Sequence, residues 1–281
     1  MLPTDFSRFS AHATSYSWDN AIILAEASAF AYRDGAKIKA AVEKRWNIPS
    51  EHVEYLTARE DSNLIFSGRF DTQAFILKTD QVILLAFRGT EPNNRSDWKT
   101  DLHFRRRAIR LANSTKKVHV HEGFWRALDS IWQDIEAHLR KFRNANQAIW
   151  LTGHSLGGAL ACLTAFRLSQ SPEFDFSGLY TYGQPRVGGW DFAKFFKAAH
   201  GEKIFRFVNN NDFVTFVPPF LFRYGHVGQL YYLTAKRKVV PNGLPFAKAV
   251  FDRIAGFRDF GQMDHSLETY LNILNENVKK I

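Results

Sequence analysis

The sequence predicts one α/β domain, a mostly parallel central sheet with helices on both faces, and three observations carry that expectation. The 281 residues are 45% apolar and include 26 phenylalanines, enough to bury a large core. Short apolar runs alternate with helical patterns through the second half of the chain, as strands covered on both faces require. No repeat, low-complexity tract or Pro/Gly/Ser-rich linker divides the chain, so residues 1–281 read as a single unit.

Taken in order, helical periodicity runs over Ala21–Tyr32 and again over Lys37–Trp46. Two β-rich runs follow, Ala74–Leu77 and Val82–Phe87, joined by the polar turn Thr79-Asp80-Gln81. Within Gly123–Phe142, apolar residues recur at Leu128, Ile131, Trp132, Ile135 and Leu139, which is helical spacing. Strand then alternates with helix: Ala148–Thr152 with Gly158–Ser169, and Leu179–Tyr182 with Trp190–Ala199. Strands at Ile204–Val208 and Leu230–Leu233 and a last helix from Asp264 complete the pattern. Ligands of such sheets gather at the carboxyl ends of the strands.

Lysine and arginine number 37 against 28 aspartate and glutamate, a net charge of +9 that favours anionic partners. The single cysteine, Cys162, excludes an internal disulfide and any multi-cysteine metal site. No secretory leader is visible at the start, and no run reaches the ~18 apolar residues of a membrane span. The expected location is therefore cytoplasmic or peripheral to a membrane. The basic stretches "RRRAIR" and "STKK", around Arg105–Lys117, lack any accompanying nucleic-acid motif and read as solvated surface.

Gly153-His154-Ser155-Leu156-Gly157 fits G-x-S-x-G, with a strand directly before it and the helical "ALACLTAFRL" directly after. Such a serine sits on a sharp strand-to-helix turn, where glycines two residues either side remove side chains that would collide. The helix start behind it offers unpaired N–H groups and positive potential where an oxyanion would form. A serine hydroxyl is a poor nucleophile without a base, and the base needs an orienting acid. The order along the chain in this arrangement is serine, acid, histidine. Asp212 follows the strand Ile204–Val208, whereas Asp191 lies inside a helix start. His200, His226 and His265 follow Ser155 with enough intervening chain. His265, at a loop-to-helix junction beyond the last strand, is preferred over His226, which enters a strand and reads as structural. His154 reads as a turn and packing residue. The second oxyanion donor is expected from "LLAFRGTEP", where Gly89 permits close approach and Thr90 offers its N–H; the first is the N–H of Leu156.

"FRGT", "VHEGF", "LTGHSLGGALA", "YGQPRVG", "NNDFVTFVPP" and "DHSLETYL" occur in the order and spacing of the class 3 lipase family, which the chain resembles from about Ala21 to Leu271. The resemblance implies the α/β-hydrolase fold. It also implies Ser155 as nucleophile, Asp212 as acid, His265 as base, and Thr90 with Leu156 as oxyanion donors. The expected activity is hydrolysis of carboxylic esters in acylglycerols or phospholipids, with no metal or cofactor. The alternative is a catalytically silent scaffold that binds a lipid or a protein.

Three departures from the family stand out. Thr215 replaces the usual proline, which predicts a slightly looser acid loop. Between Thr90 and Trp98, where relatives carry a mobile lid, "EPNNRSD" has no large aliphatic residue. The stretch before His265 is long, and its residues Phe246–Phe260 predict a basic amphipathic helix. Phe246, Val250, Ile254 and Phe257 form its apolar stripe, with Lys248, Arg253 and Arg258 off it. That is the pattern of a helix docking on an anionic membrane, or of one packed on the core with a solvated basic face.

Overall fold

The computed structural model describes residues 5–58, 72–89, 104–144, 147–255 and 264–278. The chain enters through helices α1, Trp18–Phe30, and α2, Gly35–Trp46. Their starts are set by local chemistry. Ser17 accepts from the Asn20 N–H at 3.3 Å, and Asp34 accepts from the Lys37 N–H at 2.9 Å. Helix α2 stops at Asn47, whose φ of 53° is the left-handed conformation asparagine tolerates.

Strands β1 (Val53–Thr57), β2 (Gln73–Lys78) and β3 (Val82–Phe87) pair antiparallel in sequence order. A hairpin of β4 (Arg106–Arg110) and β5 (Lys117–His121) leads into α3 (Glu122–Asp129) and α4 (Trp132–Phe142). Then come β6 (Ala148–His154), α5 (Leu156–Ser169), β7 (Gly178–Tyr182), β8 (Gly188–Gly189) and α6 (Trp190–His200). The last third holds β9 (Ile204–Asn209), β10 (Tyr224–Gly225), β11 (Gln229–Leu233), β12 (Val239–Pro241), α7 (Phe246–Ala255) and α8 (Leu267–Val278).

The main sheet has the order β1-β2-β3-β6-β7-β9-β11-β12. From β3 to β11 every neighbour is parallel, and antiparallel pairs occur only at the two flanks. Alternation along β3 shows how both faces are used. Ile83, Leu85 and Phe87 join a core with α3, α4, α5 and α6, while Val82, Leu84 and Ala86 join a second core with α1, α2 and α8. This is the mostly parallel, doubly covered sheet that the sequence predicts. No helix among the described residues is long and apolar enough to cross a membrane.

Several details differ from the sequence expectation or lie outside the described residues. The helical stretch Gly123–Phe142 is two helices, because the Ser130 hydroxyl donates to the Ala127 carbonyl at 2.7 Å and Ile131 leaves helical geometry at ψ 4°. A second, antiparallel sheet, β10-β8-β5-β4, was not anticipated. Strand β1 was also missed. Of the helix expected over 246–260, the described part is α7; Phe257, Arg258 and Phe260 lie outside the described residues, as do the side chains of Phe246, Val250 and Arg253.

Candidate active site

Ser155 stands between β6 and α5 with φ 58° and ψ −128°, a backbone conformation that an L-residue holds only under constraint from its surroundings. Those surroundings are the reason for the flanking glycines. A Cβ on Gly153 would fall on the backbone of Gly157, and one on Gly157 would fall on the Phe87 carbonyl oxygen. Strand β3 therefore touches the turn directly. The Ser155 N–H donates to the Tyr182 carbonyl at 2.9 Å, so the turn is also fastened to β7.

The buried hydroxyl of Ser155 meets His265 Nε2 at 2.8 Å, and His265 Nδ1 lies 2.9 Å from both carboxylate oxygens of Asp212. With Asp212 ionised, Nδ1 carries the proton and Nε2 is left as an acceptor for the serine O–H. The three residues come from three places in the chain: the end of β6, the turn after β9, and the junction before α8. That is the constellation a nucleophile, its base and an orienting acid require.

Asp212 is held on every side. Its Oδ1 accepts from the Val214 N–H at 3.0 Å, and its Oδ2 accepts from the Tyr270 hydroxyl at 2.7 Å. Tyr270 in turn accepts from the Asn209 N–H at 2.9 Å, and burial pushes its own ionisation well above the usual range, so it stays a donor. At Thr215, where a looser acid loop is expected, the threonine hydroxyl donates to the Asp212 carbonyl at 2.8 Å and closes the turn.

His265 is also fixed through its backbone. His154 Nε2–H donates to the His265 carbonyl at 2.7 Å, while His154 Nδ1 accepts from the Tyr32 hydroxyl at 2.7 Å. The two rings lie 4.6 Å apart. His154 is thus a packing and positioning residue. The sequence signals no site role for Tyr270 or Tyr32 beyond a tyrosine within a helical pattern, whose ring packs while its hydroxyl seeks a partner.

His226 and Asp191 are placed elsewhere. His226 Nε2 donates to the Thr215 carbonyl at 2.8 Å beneath the acid turn. Burial, with Arg206 and Arg186 nearby, holds its ionisation well below the usual histidine range. Asp191 pairs with His119 at 2.6 Å on the surface.

Of the two oxyanion positions, Leu156 is the first residue of α5, whose opening N–H groups lack intrahelical partners. Thr90 lies outside the described residues, as does the Glu91–Asp97 stretch that follows it. Its neighbour Gly89 is described, and a Cβ there would come within 2.5 Å of the His154 carbonyl and 3.2 Å of Ser155 Cβ. The chain leaving β3 at Gly89 is therefore packed against the serine turn. Among the described residues no cluster of histidine, cysteine, aspartate or glutamate could hold a metal ion.

Comparison with known proteins places the chain among lipases. The family described as lipase (class 3) matches residues 84–222. The lipase of Rhizomucor miehei is 35% identical over 172 residues, covering 59% of this chain and 46% of that protein. The solved structure of Rhizomucor miehei triacylglyceride lipase is 30% identical with a TM-score of 0.54, covering 68% of this chain and 70% of that one. A triacylglycerol lipase whose catalytic centre is formed by a serine protease triad is 25% identical with a TM-score of 0.62, covering 88% of this chain and 96% of that one. The chain spans about half the length of the curated relatives it matches.

Proposed function

The chain belongs to the class 3 lipase family and has the α/β-hydrolase fold, and from that premise we propose that it is a serine carboxylic ester hydrolase acting on acylglycerols or phospholipids. The observation that carries this reading is the unbroken line of hydrogen bonds from Ser155 through His265 to Asp212, set on a constrained turn.

In the proposed reaction the Ser155 hydroxyl attacks the ester carbonyl as His265 Nε2 takes its proton. The oxyanion of the tetrahedral intermediate is received by the N–H groups of Leu156 and Thr90, at a helix start where negative charge is favoured. His265 then gives the proton to the departing alcohol, leaving an acyl-enzyme on Ser155. Water then attacks the acyl carbonyl as Nε2 takes its proton, and the intermediate collapses to the free acid as Nε2 returns that proton to the departing Ser155 Oγ. Asp212 stays ionised throughout, holding the Nδ1 proton and stabilising the imidazolium. No step calls for a metal or cofactor.

The lipid ester reading extends to peripheral contact with an anionic membrane through α7. Its Asp252 accepts from the Tyr232 hydroxyl at 3.1 Å and from the Ala235 N–H at 3.0 Å, which pins one side of the helix. Phe251 and Ile254 are 73% and 63% exposed, apolar area suited to an acyl boundary.

The test is a panel of nitrophenyl esters, triacylglycerols and defined phospholipids, run with purified protein and with Ser155→Ala. Hydrolysis of at least one lipid ester that disappears in the variant supports the reading. Undiminished turnover by Ser155→Ala, or a wild type inert toward every ester, overturns it.

A further inference from the structure

Eight large apolar side chains are exposed among the described residues; two are the α7 pair, and the other six gather elsewhere. Phe213, Phe216, Phe220, Leu221 and Phe222 lie on one stretch leaving Asp212, and the Trp190 ring lies tilted against that of Phe220 at 4.9 Å. Leu221 is 90% exposed, Phe220 59% and Phe222 52%.

These side chains are held outward by the backbone. Phe220–Phe222 is a single 3-10 turn in which the Phe222 N–H donates to the Pro219 carbonyl at 3.0 Å and the Arg223 N–H to the Phe220 carbonyl at 2.8 Å. Arg223 closes it in the left-handed region at φ 62°, and its carbonyl accepts from the Trp190 N–H at 2.9 Å. Phe222 leans on Phe104 at 5.0 Å, which ties the tip to the start of β4. Leu221, at the apex, gains no such cover.

Three arginines lie beside this tip. Arg105 and Arg106 are exposed and directly follow Phe104, and the Arg223 guanidinium sits 5.6 Å over the Trp190 ring. Among the described residues none of these three arginines is ion-paired. Nearby carboxylates are already engaged, Asp191 with His119 and Asp129 with Arg167.

We propose that the Phe220–Phe222 tip, with Arg105, Arg106 and Arg223, is a docking surface for an anionic phospholipid bilayer. An apolar apex flanked by aromatic rings and by guanidinium groups that form no ion pair among the described residues suits the layered chemistry of that surface: acyl chains below, ring edges at the headgroup level, phosphates above. The same stretch begins at Asp212, and the Phe213 ring lies 6.4 Å from that of His265. A bilayer seated on the tip is thereby brought beside the catalytic histidine. The proposal extends the ester-hydrolase reading, but the binding itself does not depend on it.

The experiment is co-sedimentation with vesicles of ether-linked phosphatidylcholine, with and without ether-linked phosphatidylglycerol, at low and high salt. Ether lipids have no ester to cleave, so binding is read independently of hydrolysis. Wild type is expected to partition roughly tenfold more onto the anionic vesicles, with the excess removed by salt. Leu221→Asp/Phe222→Asp should lose about tenfold on anionic vesicles, and Arg105→Gln/Arg106→Gln should lose the anionic preference alone. Near-UV circular dichroism and the unfolding midpoint report whether each variant is folded. Equal partition onto both vesicles, or partition unaffected by the tip variant when folded, overturns the proposal. So does a wild-type dimer that Leu221→Asp converts to monomer, because the face would then be a protein interface. Intact vesicle binding with no ester hydrolysis would remove the catalytic reading and leave this one standing.

Discussion

In the proposed reaction Ser155, His265 and Asp212 act as one unit, so removing any one should cost far more than a single hydrogen bond. Ser155→Ala and His265→Ala are each expected to abolish measurable turnover with the fold intact, and Asp212→Asn to lower kcat by roughly 10³–10⁴-fold. If His226→Ala is inactive while His265→Ala retains turnover, the base is misassigned. Tyr270 gives a finer test. Its hydroxyl donates to the carboxylate that must steady the imidazolium, and a bond to a charged group contributes about 1.5–3 kcal/mol. Tyr270→Phe should therefore lower kcat by roughly 10- to 100-fold with KM within about twofold. Steady-state kinetics normalised by titration of Ser155 decides it, because a purely structural tyrosine would lower stability and leave kcat per active site unchanged. The proposed site residues were legible in the sequence because the motif, the strand end and the loop–helix junction each have local signatures. Tyr32 and Tyr270 were not, since a phenol on an apolar stripe shows its polar role only once its hydroxyl partner is known.

At the scale of elements, the sequence was most informative where apolar runs are long. Strand β3 and the starts of β6 and α6 fall where hydrophobic pattern places them. The break between α3 and α4 escaped notice because the apolar stripe passes through it without a change of phase, and one serine hydroxyl decides the local geometry. The small sheet escaped for the opposite reason: β4 is "RRAIR" and β8 is two glycines, neither of which alternates in hydrophobicity. His121 joins this sheet to α3. Its Nδ1 accepts from the Phe124 N–H at 3.3 Å, and burial holds its ionisation down at about 4. A histidine depressed in the fold favours folding fully above its unfolded pKa of about 6.5, and that contribution is lost as pH falls toward the folded value. With His226 depressed for the same first reason, the unfolding midpoint should fall steadily from about pH 6.5 to about pH 4. His121→Asn keeps a cap acceptor and removes one titration, so its midpoint should fall less steeply over that window. Parallel curves for the two proteins would mean that His121 is not buried neutral.

At the scale of the whole molecule, apolar surface is distributed in a way that bears on how the protein meets lipid. A lid couples activity to an oil–water interface only through the apolar area it transfers on opening, about 25 cal/mol per Å². In the position where relatives carry that lid, Glu91–Asp97 offers charged and polar side chains with almost no such area, and only Trp98 at its end is large. The exposed apolar side chains among the described residues instead belong to the turn leaving Asp212, to Trp190 beside it and to α7, which precedes His265. Surface that is already exposed can bind an interface, but it adds no opening step for the interface to drive. Binding and turnover should therefore separate. On a soluble short-chain ester, the rate should rise smoothly with concentration through the solubility limit, without a jump at the point where droplets form. On dispersed anionic phospholipid, the same enzyme should slow as salt rises, because the net charge of +9 is screened over about 10 Å at 0.1 M. A sharp increase in rate at the solubility limit would show that a gating element is present and that the polar 91–97 stretch is the wrong place to judge it from. A smooth curve combined with salt-sensitive hydrolysis of vesicles would place interfacial attraction in the fixed surface.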